Sequence, residues 1–124
     1  MSDQPLKYKS NLKLRCYTFG LNVINLIDTL PNKRSSWVIA DQLVRSATSI
    51  GANLIEAKAS SSRLEFKRFH EISLKSANEA KYWLELLKDS KLSDSNKIDP
   101  LLKEVTEIGN MIASGVLKLK GKNF

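Results

Sequence analysis

One cysteine, one histidine, three prolines and five glycines in 124 residues set the first limits on this chain. A lone Cys16 closes no internal bridge, which argues against a disulfide-stapled secreted scaffold and fits a reducing cytoplasm. On an amphipathic helix it reads as a buried, inert thiol. A lone His70 leaves histidine metal sites and a Ser/His/Asp triad short of material, because catalytic assignments need converging groups. His70 is therefore read as a structural or surface residue. Lys67 stands three residues before it, where a di-iron bundle would have glutamate. Gly109 and Gly115 fall in a predicted helix and Gly121 in the tail, so no phosphate-cradling loop is present. Neither enzymatic activity nor a cofactor or metal is expected. Long apolar runs are missing too. The stretch Cys16 to Ile27 is interrupted by Asn22 and Asn25 and falls short of the roughly 20 residues a membrane span needs. Asp3 precedes it and no small-residue cleavage site follows, so it does not read as a signal peptide, and no membrane partner is expected.

What remains is a helix-forming chain. Its length suits one domain burying roughly two-thirds of its unfolded surface. In and just before the stretch Asp41 to Ala57, the residues Ala40, Leu43, Ala47, Ile50, Leu54 and Ala57 recur at steps of three and four, the spacing of one buried helical face. Beside them runs a polar file, Gln42, Arg45, Ser49, Asn53 and Glu56. Ser46, Ala47, Ser49, Gly51, Ala52, Ala57 and Ala59 make this helix thin enough for close approach, and it reads as the central helix of a bundle.

The predicted elements are a basic arm (residues 1–10), helices over about 11–30, 36–60, 63–90 and 100–119, and a basic tail (120–124). The first helix presents Leu12, Phe19, Val23, Leu26 and Leu30, broadened by Tyr17, Leu21 and Ile24, and stops before Pro31. Candidate N-caps in Asn32 to Ser36 precede the second. Ser62-Arg-Leu-Glu65 has capping-box spacing and starts the third. Its inner stripe is Phe66, Phe69, Ser73, Ser76, Ala80, Trp83 and Leu87. Leu92 to Asp99 reads as a polar connection, with Pro100 in the first turn of the fourth helix. That helix carries Leu101, Val105, Ile108, Ile112, Val116 and Leu119.

Short connections imply antiparallel neighbours, so the fold class is all-α, an up-down four-helix bundle. A turn centred near Ser61 places residues summing to about 122 level across helices two and three. Asn53 then faces Phe69, Ile50 faces Ile72, and Arg45 lies level with Ala77 and within reach of Ser76 and Glu79. An Arg45–Glu79 pair is predicted, within or between subunits, because an arginine at an apolar margin needs a carboxylate.

These residues resemble the 23S-rRNA-intervening-sequence proteins, also called simply four helix bundle proteins. The resemblance spans roughly Leu12 to Leu119. It is carried by Gln42-Leu-Val-Arg-Ser-Ala47, Ser49-Ile50, Ala52-Asn53, Glu56, Glu65-Phe66, Phe69, Ser76 and Glu79. Ala57 and Lys75 depart from it, each standing where glycine is common. The resemblance implies a bundle that assembles into a ring-like homo-oligomer, expected to be a pentamer. It also extends to the bacterial accessory variability proteins of diversity-generating retroelements, which look like nucleic-acid binders and partner a reverse transcriptase.

Charge is uneven. Twenty bases against thirteen acids give +7. Residues 35–62 are neutral with two of each, whereas residues 1–34 carry six bases and two acids, so the excess lies on the first helix, the third and the termini. Candidate contacts to an RNA or DNA backbone are Lys13, Arg15, Arg63, Lys67, Arg68, Lys75, Lys118, Lys120 and Lys122. A ring would repeat each of them around the assembly. Gln42, Arg45, Ser49, Asn53, Glu56, Ser76 and Glu79 form a polar set that reads either as a ligand groove or as hydrogen bonds fixing register. The second is favoured, since buried polar groups on bundle helices specify pairing. The expected function is non-enzymatic nucleic-acid binding by an oligomer. The alternative is an interaction scaffold or accessory subunit for a nucleic-acid-processing enzyme such as a reverse transcriptase.

Overall fold

The computed structural model describes residues 11–120, with side chains as far as Leu117. The expected arm (1–10) and the tail beyond Lys120 lie outside the described residues. Four helices follow one another: α1 (Asn11–Ile27), α2 (Arg34–Ala59), α3 (Arg63–Asp89) and α4 (Ser95–Lys120). Each packs only on its chain neighbours, and α1 closes the square against α4.

Cross-helix contacts give the directions. A Cβ on Gly51 would meet Cys16, and one on Gly20 would meet Thr48, so α1 and α2 run oppositely. Ser73 Oγ donates to the Ile50 carbonyl at 2.7 Å, and Ser76 Oγ to Ser49 Oγ at 3.0 Å, setting α3 antiparallel to α2 one to three residues from the expected register. Gly109 lies over Ala77, and Lys88 Nζ pairs with Asp99 at 2.7 Å, which does the same for α3 and α4. The chain therefore runs up, down, up, down.

The predicted α2 face is the buried one: Leu43, Ala47, Ile50, Leu54 and Ala57 are at most 3% exposed. Leu43, Ala47, Ile50 and Leu54 join Phe19 and Val23 of α1, Ala80, Leu84 and Leu87 of α3, and Val105, Ile108 and Ile112 of α4 in one core. On α3 the small residues go inside, while Phe66, Phe69 and Trp83 are half-buried at the margin. The α2–α3 interface is the most extensive of the four.

Five expectations need correction. The second helix is not central, because its backbone lies close to α1 and α3 but not to α4, and it exposes Val38, Thr48, Ala52 and Ile55. In a square bundle every helix has two neighbours and one outward side. α1 ends at Ile27, three residues early, where Thr29 Oγ1 donates to the Leu26 carbonyl at 2.7 Å and tight backbone turns replace the helix ladder. α2 begins at Arg34 with Lys33 as an N-cap that makes no side-chain bond, and Ser36 lies buried within its first turn. α4 begins at Ser95, where the Asp94 carbonyl accepts from the Lys97 and Ile98 N–H groups. Pro100 thus sits in the second turn, solvent-exposed, and the extra turn carries Ile98 into full burial. The Ser62 cap holds as expected, its hydroxyl accepting from Glu65 N–H at 3.1 Å. The Glu65 carboxylate, however, accepts from the N–H of Ser61 and not of Ser62.

Candidate nucleic-acid interface

The antiparallel order brings the start of α1, the end of α2 and the start of α3 to one end of the bundle. Lys13 comes from the first, Lys58 from the second, and Arg63, Lys67 and Arg68 from the third. Arg63 and Arg68 are exposed, as is Lys58, and Lys13 and Lys67 are half-buried. Glu56, Glu65 and Glu71 are the acids of these segments, and Glu65 is tied to the turn. Burial, and then the charge of Lys58, holds Lys13 below the usual lysine range. A neighbouring ammonium group disfavours the charged form of Lys13. Of the other candidate cations, the side chains of Lys118 and Lys120, and all of Lys122, lie outside the described residues. Lys75 is exposed roughly two turns further along α3 than Lys67.

Arg15 has another task. Its guanidinium grips Glu104 with two hydrogen bonds, Nε to Oε2 at 2.9 Å and Nη2 to Oε1 at 2.6 Å, and reaches Glu107 at 2.7 Å. These bonds, that to Glu104 first, raise its already high pKa further. Such a fork staples α1 to α4, and it turns Arg15 away from the cationic end.

The polar set divides in two. Ser49, Asn53 and Ser76 form a connected strip, Asn53 Nδ2 donating to the Ser49 carbonyl and hydroxyl, both at 2.8 Å, and Ser76 bridging from α3. Buried Ser73 extends it; the sequence reading had placed that residue only in a packing stripe. The Arg45–Glu79 pair is not formed within the chain. Both side chains are exposed and flank one open polar cleft of about 350 Å³ with Gln42, Ser46, Ser49 and Ser76, and Glu79 instead accepts from Trp83 Nε1 at 3.2 Å. Exposure explains this, since a solvated arginine needs no carboxylate. Glu56 is exposed.

Between α1 and α2 lies an apolar groove of about 340 Å³, lined by Cys16, Tyr17, Leu21, Ile24, Ala52 and Ile55 among others, with Lys13 its one charged residue. Leu21 and Ile24, expected to broaden the apolar surface of the first helix, are each 42% exposed there. Cys16 is buried at its base, and desolvation pushes the thiol up to about 12, which leaves it protonated and unreactive near neutrality. His70, from Nδ1, hydrogen-bonds the Phe66 carbonyl at 2.9 Å. Among the described residues no three His, Cys, Asp or Glu are placed to hold a metal ion, and no helix is long and apolar enough to cross a membrane.

Lys58 was missed by sequence reasoning, because it is the one base in the last turns of a neutral segment. Its partners arrive from two other helices, and only the register reveals them.

The model of a family described as 23S rRNA-intervening sequence protein matches residues 10–114. Among solved structures, one is a crystal structure of a protein with unknown function from the S23 ribosomal protein family of Bacteroides thetaiotaomicron. It is 35% identical, covers 85% of this chain and 97% of its own, and superposes with a TM-score of 0.79. Comparison with the curated proteins gave no match.

Proposed function

We propose a function from the premise that this chain belongs to the 23S rRNA-intervening sequence protein family: it is a non-enzymatic, self-associating bundle that binds the backbone of RNA or DNA. One observation carries the reading, the convergence of Lys13, Lys58, Arg63, Lys67 and Arg68 from three helices on one end. Phosphates recruited there release condensed counterions, so affinity should fall steeply with salt. Self-association, with a pentamer as the expected ring, is supported by the largely apolar outward side of α1 and α2, where Leu21, Ile24 and Ile55 stand exposed. In such a ring the cationic ends repeat and add their fields.

The test is a titration of labelled RNA and DNA at several salt concentrations. Binding whose log–log salt slope falls by about one for each of Arg63, Lys67 and Arg68 changed to glutamine supports the reading. Binding insensitive to salt, or none at low salt, rejects it. A second reading, an accessory subunit for a nucleic-acid-processing enzyme such as a reverse transcriptase, is favoured by Trp37 and Val38, which are 59% and 57% exposed in the first turns of α2. It requires a partner that still co-purifies after nuclease treatment and is lost on Trp37→Ala.

A further inference from the structure

Below the cationic end, α1, α2 and α3 leave a cleft of about 300 Å³ lined by Leu12, Lys13, Leu54, Lys58, Phe66 and His70. Its lining is of two kinds. Lys13 and Lys58 bring two ammonium groups, while Phe66 and His70 bring two rings with centroids 4.4 Å apart and planes tilted by 41°. Leu12 and Leu54 complete an apolar surface. His70 is fixed in place, since a carbonyl only accepts. Nδ1 must therefore carry the proton donated to Phe66, leaving Nε2 as the ring nitrogen open to a ligand.

We propose that this cleft holds one nucleotide of a single strand, its phosphate against Lys13 and Lys58 and its base against the Phe66–His70 rings. The inference rests on the reading of this end as a nucleic-acid binder and deepens it by naming the strand state. A site for phosphate alone would have no use for two half-buried rings, whereas a stacked base needs an aromatic face with cations one phosphate away. A duplex keeps its bases stacked on each other and offers none to a side-chain ring. Ring stacking tolerates any base, so weak sequence preference is part of the inference.

The test uses the intact protein with three probes: uridine 5′-monophosphate, a short oligouridylate, and a duplex of the same length. The mononucleotide should shift the His70 ring resonances. The oligouridylate should bind more tightly than the duplex at low salt. Phe66→Leu or His70→Gln should weaken the single strand about tenfold and leave the duplex unchanged. Lys58→Gln, at an exposed position that does not threaten folding, should weaken both mononucleotide and single strand. Equal binding of single strand and duplex, with Phe66→Leu and His70→Gln silent in correctly folded protein, overturns the cleft while the cationic end stands. Failure of both polymers to bind, even if the mononucleotide still moves His70, rejects the wider reading and with it a strand in the cleft. Silence from all three probes overturns both.

Discussion

Cys16 shows how a residue with reactive chemistry becomes a packing piece. It lies under Gly51 of the neighbouring helix, 2% exposed, with its thiol pushed from the usual 9 to about 12 by lost hydration. The folded chain keeps this proton where the unfolded chain has lost it. Stability from this group is therefore complete below about pH 9 and drains away as pH rises towards 12. Urea unfolding should lose about 1–2 kcal/mol more between roughly pH 8 and 10.5 in the wild type than in Cys16→Ala. Equal slopes for the two proteins would show the thiol to be well solvated. Ser73 is the polar counterpart, fully buried and donating across to Ile50. Ser73→Ala should cost about 1 kcal/mol in the same assay, because the carbonyl it leaves still has its helical partner.

Between helices, glycine position decides how near two axes come. A Cβ on Gly51 would stand 3.3 Å from the Cβ of Cys16, an atom fixed to the α1 backbone, whereas one on Gly115 would meet nothing within 4 Å. Gly51→Val should destabilise by about 1–3 kcal/mol through overpacking. Gly115→Ala should stabilise by about 0.5–1 kcal/mol through helix propensity alone; thermal melts of the two variants check the opposite signs. Features that a local stretch specifies were legible in the sequence, namely the buried face of α2, the Ser62 start and the existence and order of four helices. The first turn of α4 was not. Pro100 looked like a start signal, and only packing reveals why the chain must already be helical at Ile98. Arg15 and Lys58 were misjudged or missed for a related reason: what each side chain meets depends on helices far away in sequence, Glu104 for the one and Lys13 for the other.

At the scale of the molecule, the outward side of α1 and α2 leaves an apolar surface open to water. Leu21, Ile24 and Ile55 flank a groove floored by small residues, and α2, unlike a helix buried at a bundle centre, keeps this side uncovered. Ile55→Glu should convert an assembly into single chains in sedimentation experiments without altering helical content, since the position is 46% exposed and outside the core. A wild type that sediments as one chain at every concentration would remove the argument for a covered face.

An even number of antiparallel rods returns a chain to the level at which it set out. Asn11 and Lys120 consequently lie at the same end as the α2–α3 turn and its cations, so a bulky group attached at either residue would crowd the pole of the proposed strand site. The far turn, residues 91–94 between α3 and α4, is the attachment point that leaves that approach open.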